Sequence, residues 1–173
     1  MRLFLALELE PATLDVLERW SDDHLRGGRV VPREHVHVTL AFLGGRPAAE
    51  LDAIVGVLRD AAGETEPVAF EPSAWKETRS VGMVVLRDVT GGATDLAHRV
   101  HGRLEELSVY HPEARAWLPH LTLLRFHERP RLNPSLPETG TFVPSGAAAY
   151  LSHLHPSGAR YEVLESVSLT AGG

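Results

Sequence analysis

The sequence has no cysteine among its 173 residues. Disulfide bonds, thiolate metal sites and cysteine nucleophiles are therefore excluded. Long apolar runs are also missing, because the N-terminal apolar stretch of residues 3–7 is followed at once by Glu8 and then Glu10. This stretch is too short for a signal peptide or a membrane-spanning helix. We therefore expect a cytoplasmic protein that does not bind membranes.

Positive charge is scarce as well. The chain carries 17 Lys and Arg against 23 Asp and Glu, which gives a formal net charge of −6 at pH 7. A protein that coats long nucleic acids neutralises many phosphates, so this balance argues against that class of protein. It leaves room for contact with one terminal phosphate through a few local donors. The length and the 43% hydrophobic content predict one well-packed domain over residues 1–173.

Two short segments share the pattern His-x-Thr-Leu. The first covers residues 37–40 and the second covers residues 120–123. In a β-strand, alternate side chains point to opposite faces, so each segment places a histidine and a threonine on one face and apolar residues on the other. We expect one strand within residues 33–44 and another within residues 117–126. His35 shares the face of His37 in the first of these strands.

The rest of the chain alternates between strand and helix patterns. Apolar alternation predicts strands at residues 3–9, 68–75, 81–89, 147–155 and 161–169. Helical spacing of apolar residues predicts helices that begin at residue 11, at residue 48 and near residues 90–94, and the Pro-rich residues 127–144 predict a long loop. Each half contains a helix and a His/Thr strand, so residues 1–86 and 87–173 are interpreted as approximate pseudo-repeats. A twofold arrangement would place both His/Thr strands at one shared cleft.

Two imidazoles at one cleft are suited to acid–base catalysis, because one can accept a proton while the other donates one. Phosphodiester chemistry needs both roles, at the attacking water and at the leaving oxygen. The hydroxyls of Thr39 and Thr122 lie on the same faces and could hold a non-bridging phosphate oxygen. Arg125 follows Thr122 by three residues, so it reaches the cleft only if the strand ends or bulges there. It is then a candidate for phosphate contact.

Two other functions are compatible with the same histidines. A metal-dependent hydrolase would use the His-x-His pairs at residues 35–37 and 153–155, although neither pair encloses an acidic residue. A non-catalytic module for RNA ends would use the histidines and threonines only to bind phosphate. His35 also competes with His37 for the catalytic role, although we assign it to the rim of the cleft. The aromatic residues that could stack on a base, but that also suit a core, are Phe42, Trp75, Phe126 and Tyr161.

The paired motifs and their surroundings resemble the two-histidine (2H) phosphoesterase superfamily. Within it, the chain is similar to the RNA 2′,3′-cyclic phosphodiesterase branch, also called the 2′-5′ RNA ligase-like family. Besides the two His-x-Thr-Leu segments, the resemblance rests on flanking residues along essentially the whole chain. These are Arg2-Leu3-Phe4-Leu5-Ala6, Phe42-Leu43-Gly44, Pro119, Arg125, Leu151-Ser152-His153-Leu154 and Gly158-Ala159-Arg160-Tyr161.

The resemblance implies an α+β fold of two pseudo-symmetric antiparallel-sheet lobes, with outer helices around a central catalytic groove. It implies hydrolysis of a 2′,3′-cyclic phosphate, at an RNA end or on a nucleoside, to a 2′-phosphate without a metal or a cofactor. His37 is then the proton donor and His120 the proton acceptor, although the repeat itself does not rank them. The residues implied to bind phosphate are Thr39, Thr122 and Arg125. We expect a monomer that acts on RNA or cyclic nucleotides, with 2′-5′ ligation as a secondary activity.

Overall fold

A computed structural model of the chain describes residues 1–169. This part of the chain contains eight strands and three α-helices. The strands are β1 (Arg2–Leu9), β2 (Arg29–Val30), β3 (Val38–Gly45), β4 (Phe70–Glu77), β5 (Val81–Asp88), β6 (His120–Arg125), β7 (Pro144–His153) and β8 (Arg160–Val167). The helices are α1 (Pro11–His24), α2 (Leu51–Gly63) and α3 (Gly92–Glu106), with short 3-10 helices at Arg33–His35 and Ala48–Glu50.

The strands form two antiparallel sheets, and each sheet is the centre of one lobe. Within the described residues each sheet has four strands, in the order β3-β1-β7-β8 in the first and β2-β6-β5-β4 in the second. The first His/Thr motif continues from His37 into β3 of the first sheet, and the second motif begins β6 of the second sheet. The predicted α+β architecture of two antiparallel-sheet lobes is therefore confirmed, with one motif in each lobe.

The two lobes do not coincide with the two halves of the sequence. The first sheet combines β1 and β3 with β7 and β8 from the end of the chain. In the second sheet β6 lies between β2 and β5, and β4 pairs with β5 at the edge. Residue 87 itself lies inside β5. The unit that repeats is a strand, a helix and an antiparallel motif strand, as β1–α1–β3 and as β5–α3–β6.

Strand β1 is buried on both faces, which explains its almost unbroken apolar sequence. Leu3 and Leu5 belong to the main core beneath the helices. Phe4 belongs to a second, smaller cluster on the opposite face, where it packs with Ala148 and Tyr150. Because Phe4 also lines the groove between the lobes, this smaller cluster forms part of the groove floor.

Several predicted boundaries shift in the structure. The strand expected within residues 33–44 begins only at Val38, because residues 33–35 after Pro32 form a 3-10 helix. In this 3-10 helix, the N–H of His35 donates to the carbonyl oxygen of Pro32 and the N–H of Val36 donates to that of Arg33. His35 therefore lies outside the strand, and the prediction that it shares a strand face with His37 does not apply. The two-residue strand β2 was not predicted, because such a short strand leaves no periodic pattern.

Residues 127–143 form the long connection that the sequence predicts, with a single isolated bridge between Phe70 and Phe142 among the described residues. The carboxylate of Glu77 holds this connection, and its side chain is only 2% exposed. It accepts hydrogen bonds from the backbone N–H groups of Arg131 at 2.9 Å and Leu132 at 2.8 Å. The connection is therefore anchored to the end of β4.

None of the helices in residues 1–169 is both long and apolar enough to cross a bilayer.

Replacing Glu77 with Ala should lower the free energy of unfolding by about 2 kcal/mol, because the hydrogen bonds of its buried, charged carboxylate to Arg131, Leu132 and Trp75 would be lost. Burial opposes ionisation of this carboxylate, but hydrogen bonds from Leu132, Trp75 and neighbouring groups outweigh it and lower the pKa below its usual range. The stabilisation is therefore complete above the pKa of an unfolded Glu, about 4.3, and is lost as the pH falls through the lower folded value. Urea unfolding at pH 7 and at pH 3 measures both effects.

Glu71→Ala is the matched control, because the Glu71 carboxylate is exposed and forms a surface salt bridge with Arg87. Such pairs contribute no more than about 1 kcal/mol. If the two variants lose equal stability at pH 7, the anchoring role of Glu77 is wrong.

Candidate active site

A groove of about 280 Å³ lies between the two lobes and is bordered by both motif strands. This volume is close to the lower limit for small-molecule sites, roughly 300 Å³. His37 and Thr39 from the first motif and His120 and Thr122 from the second line the groove, together with Arg125. The structure therefore brings all five predicted site residues to one place.

Arg125 reaches the groove because β6 bulges. In the pairing of β5 with β6, consecutive residues of β5 lie opposite Thr122 and Leu124, so Leu123 is an extra residue on β6. A bulge reverses the alternation beyond it. Leu123 and Leu124 are consequently both buried, and Arg125 lies on the face of Thr122. The sequence left two conditions under which Arg125 would enter the cleft, and the bulge is one of them.

The first motif strand carries the same irregularity. Consecutive residues of β1 lie opposite Ala41 and Thr39, so Leu40 is an extra residue on β3. Phe42 therefore shares the groove face with Thr39, at the position that corresponds to Arg125 in the second motif. Its side chain is 54% exposed, and the guanidinium carbon of Arg2 lies 5.8 Å from the ring centre. The two motifs thus place one aromatic ring and one guanidinium in the same groove.

Both motif histidines are oriented by the backbone. His37 Nδ1 lies 2.7 Å from the carbonyl oxygen of His35, and His120 Nδ1 lies 2.8 Å from that of Leu118. A carbonyl oxygen can only accept, so in each ring Nδ1 carries the proton and donates it. In the neutral imidazole Nε2 is then the nitrogen that can accept a proton, and in the charged imidazole it can donate one.

His37 is packed among aromatic rings. Its ring centre lies 4.9 Å from that of Phe4 and 5.8 Å from that of Tyr161, and its Nε2 lies 3.0 Å from Thr39 Oγ1. Burial lowers the pKa of His37 from 6.5 to about 4, while the Nδ1 hydrogen bond opposes this and the charges of His120 and other nearby groups add to it. The His37 imidazole is therefore neutral at pH 7, and Thr39 donates to it.

The outer edge of β3 is held by two side chains from other elements. Edge strands present unpaired carbonyl groups. The indole N–H of Trp117 donates to the carbonyl oxygen of Thr39 at 3.1 Å. His101 in α3 donates from Nε2 to the carbonyl oxygen of Leu40 at 2.6 Å. These bonds hold the backbone at Thr39 and at the bulge residue beside it.

The other residues singled out in the sequence divide between the groove and the rest of the protein. His35 lines the groove, where its ring centre lies 4.4 Å from that of Tyr161. Tyr161 and Phe42 also line the groove, whereas Trp75 and Phe126 pack in the main core. Two of the four candidate aromatic residues are thus available to a ligand.

The His-x-His pairs do not form a metal site. Within residues 1–169, no group of three or more His, Cys, Asp or Glu side chains is arranged to hold a metal ion. His153 Nε2 instead contacts Glu162 at 2.9 Å, and His155 Nδ1 contacts the hydroxyl of Ser157 at 2.7 Å. The ligand set considered for a metal-dependent hydrolase is therefore not assembled.

The structure adds residues that the sequence did not indicate. Arg29, on the strand that pairs with β6, and the turn of residues 157–159 also line the groove. Among the described residues that line it, there is neither Asp nor Glu, although the whole chain has a net charge of −6. The Gly27-Gly28 pair before Arg29 was a usable signal, because a Cβ on Gly28 would lie 2.3 Å from the carbonyl oxygen of Arg125. The groove is therefore a local cationic site on an acidic protein.

Comparison with known proteins identifies relatives along most of the chain. A family model for the 2′-5′ RNA ligase superfamily matches residues 8–155. The RNA 2′,3′-cyclic phosphodiesterase of Escherichia coli (strain K12) is 28% identical over 131 residues, which cover 72% of this chain and 71% of that protein.

Two solved structures share the fold. That of TT0787 of Thermus thermophilus has a TM-score of 0.85 and 28% identity and covers 100% of both chains. That of E. coli LigT complexed with 3′-AMP has a TM-score of 0.82 and 22% identity and covers 98% of both chains. The bilobal architecture is therefore shared over essentially its full length.

His37 should make the protein sensitive to acid. Its folded pKa of about 4 lies below the usual 6.5, so between these values the unfolded chain binds the proton more readily. Stability is complete above the higher value and falls as the pH approaches the lower one, by roughly 3 kcal/mol for a shift of this size. Between pH 7 and pH 4 the wild type should therefore lose about 3 kcal/mol more free energy of unfolding than His37→Gln, as measured by urea unfolding.

The control is His155→Gln, since that imidazole is exposed and lies outside the groove lining. It should follow the wild-type pH dependence. Equal pH dependence of wild type and His37→Gln would show that His37 is not held in a buried neutral state.

Proposed function

Because this chain belongs to the 2′-5′ RNA ligase superfamily, we propose that it hydrolyses 2′,3′-cyclic phosphates to 2′-phosphates. The substrate is an RNA with a cyclic phosphate end or a nucleoside 2′,3′-cyclic phosphate. The RNA 2′,3′-cyclic phosphodiesterase relative from E. coli supports this choice of reaction. Residues 1–173 act as a single domain in this proposal.

The observation that carries the proposal is the pairing of two equivalent imidazoles in one cationic groove. His37 and His120 both donate from Nδ1 to a backbone carbonyl, which leaves Nε2 for proton transfer. Both line the groove, and no carboxylate in the described part of the lining competes for an anion. One imidazole can therefore serve as base and the other as acid on opposite sides of a phosphate.

The reaction balances with these two groups. His120 Nε2 takes a proton from a water molecule while the water oxygen attacks phosphorus. The bond from phosphorus to the ribose 3′ oxygen breaks, and His37 Nε2 gives its proton to that oxygen. The product is a 2′-phosphate with a free 3′ hydroxyl, and the next turnover requires the proton to return from His120 to His37 through solvent.

The acid role requires that His37 gains a proton when substrate binds. Without a bound anion, burial lowers its pKa to about 4. An anion within hydrogen-bonding distance of Nε2 favours the charged imidazole, so a bound phosphate raises this pKa. Thr39 Oγ1, now 3.0 Å from Nε2, is then free to turn and donate to phosphate. Protonation of His37 and binding of the phosphate support each other.

The remaining site residues position the substrate. Thr39 and Thr122 supply one hydroxyl from each lobe, and both line the groove. Donors fixed on both sides of a phosphate hold it for in-line attack. Arg125 balances the negative charge of the bound nucleotide. In a secondary reaction, a 5′ hydroxyl of RNA in place of water would give a 2′-5′ linkage by the same bond changes.

The decisive experiment is a panel of nucleoside 2′,3′- and 3′,5′-cyclic phosphates assayed in the presence of a chelator. We expect 2′-phosphate as product from the 2′,3′-cyclic substrates only, and rates that chelation does not lower. His37→Ala and His120→Ala should each lose at least about 100-fold in turnover, and Thr39→Val on the order of 100-fold with an intact fold. Product identity is read by phosphorus NMR.

The alternatives predict other results. Loss of turnover with chelator and recovery with zinc would indicate a metal-dependent hydrolase, and binding without turnover would indicate a module for RNA ends. His155→Ala is the matched control, because this histidine lies outside the groove lining and should leave the rate unchanged. His35→Ala should retain most of the turnover, since His35 has no proton-transfer role here.

The assignment of His37 as the acid is tested by titrating its imidazole with and without inorganic phosphate. We expect a pKa of about 4 in the empty groove and a clear rise towards the usual range with phosphate bound. Histidine NMR with His37→Gln for assignment measures it, and sodium chloride at equal ionic strength is the control. If the pKa stays near 4 with phosphate bound, His37 is the proton acceptor and His120 the donor.

A further inference from the structure

Arg29 lies directly opposite Arg125 where β2 pairs with β6. Residues directly opposite in an antiparallel pair extend their side chains from the same face, with Cβ atoms about 5 Å apart. Both arginines line the groove. Like charges in such a pair destabilise a sheet unless something of opposite charge lies between or beside them.

No protein carboxylate supplies that opposite charge. Within residues 1–169 neither guanidinium forms a salt bridge, and the described groove lining contains no acidic residue. Several other arginines in residues 1–169, such as Arg26 and Arg79, also lack a salt bridge, but they do not lie opposite a second arginine in a strand pair. The feature specific to the groove is the opposition of two guanidiniums, and an anion there would offset their repulsion.

The local backbone is shaped to keep Arg29 in place. A Cβ on Gly28 would lie 2.3 Å from the carbonyl oxygen of Arg125, so glycine allows β2 to approach β6. On the other side, a Cβ on Gly158 would lie 3.3 Å from Nη1 of Arg29. Gly158 also has a φ of 118°, which favours glycine. Gly28 thus allows the strand that carries Arg29 to approach β6, and Gly158 leaves room for the Arg29 guanidinium within the groove.

The arginine pair lies to one side of the proposed reaction centre. Thr122 and Arg125 lie opposite Met83 and Val81, which are two residues apart on β5, so the bulged strand separates them by roughly 7 Å. The His and Thr side chains can therefore hold one phosphate while the arginines hold another. On a terminal nucleoside, the two candidate positions are the 2′,3′ edge of the ribose and its 5′ carbon, on opposite sides of the sugar.

We infer that Arg29 and Arg125 form a second anion site for the phosphate on the 5′ carbon of the nucleoside whose 2′,3′-cyclic phosphate is hydrolysed. This inference rests on the proposed function and makes Arg29 a specificity-determining residue. Two guanidiniums suit a phosphate because each presents planar pairs of N–H donors. The 5′ phosphate is a diester when the substrate is RNA and a monoester when it is a free mononucleotide.

The test compares three substrates that share one base. They are the nucleoside 2′,3′-cyclic phosphate, its 5′-phosphorylated form, and a dinucleotide with a 2′,3′-cyclic phosphate end. Wild type should show kcat/KM at least about tenfold higher for a substrate with a 5′ phosphate, mostly through KM because this group is remote from the reacting bond. Arg29→Ala should remove most of that preference, and Arg29→Lys should restore part of it.

The substrates distinguish the two sources of the 5′ phosphate. A preference that depends on Arg29 and appears with the dinucleotide identifies RNA ends, and one that appears only with the monoester identifies mononucleotides. A preference for the dinucleotide that survives in Arg29→Ala would overturn the inference, because the added nucleoside would then provide it. Arg115→Ala is the matched control, since Arg115 is exposed, pairs with Glu113 and lies outside the groove lining.

A binding measurement separates this inference from the proposed function. Calorimetry should show adenosine 2′,5′-bisphosphate binding at least about tenfold more tightly than adenosine 2′-monophosphate, with the difference largely lost in Arg29→Ala. Turnover of cyclic phosphates without any dependence on the 5′ phosphate or on Arg29 would overturn the second site alone. If no cyclic phosphate is turned over, the proposed function fails, and the bisphosphate comparison still decides whether the arginine pair is an anion site.

Discussion

The groove depends on a constraint of strand geometry. Side chains at positions i, i+2 and i+5 of a regular strand cannot all share a face, because alternation sends the third one to the other side. In both motifs a single extra residue, Leu40 or Leu123, removes this conflict. Each bulge lies between the threonine and the third groove residue, which is Phe42 in one lobe and Arg125 in the other. Without the bulges these two side chains would enter the core, and the buried leucines would be displaced.

The bulge in the first motif also connects the two lobes. Strand β3 is an edge strand, so its outer carbonyls are not satisfied by its own sheet. Trp117, just before β6 of the second lobe, donates to the carbonyl of Thr39. His101 in α3 donates to the carbonyl of Leu40. The position of the first motif is therefore fixed partly by residues that lead into the second, which makes the separation of the two histidines a property of both lobes together.

Much of this arrangement follows from the sequence, and the limits have physical causes. Alternation and helical spacing predicted the strands and helices, and the repeated His-x-Thr pattern predicted that the residues at 37, 39, 120 and 122 would meet. The bulges were not predictable, because Leu40-Ala41 and Leu123-Leu124 are apolar on either register. The sequence did not identify Arg29 as a groove residue, because its strand has only two residues and depends on tertiary pairing with β6. The exchange of β7 and β8 into the first lobe is likewise set by long-range packing, which local patterns do not encode.

The distribution of charge is compatible with the proposed binding of a nucleic-acid end by an acidic protein. A net charge of −6 disfavours contact with the many phosphates of a long RNA, since such binding depends on the release of counterions by clustered cations. The groove concentrates its cations in about 280 Å³ and contains no acidic residue among its described lining. His37, whose pKa burial lowers to about 4, is neutral at pH 7 without a bound anion, which reduces the repulsion between it and the exposed guanidiniums of the groove. In the proposed mechanism a phosphate and a proton bind together, and because such coupling is reciprocal, each increases the affinity for the other. His37 would then be charged only while a phosphate accepts its hydrogen bond, and the folded protein would not keep an unpaired buried cation at this position.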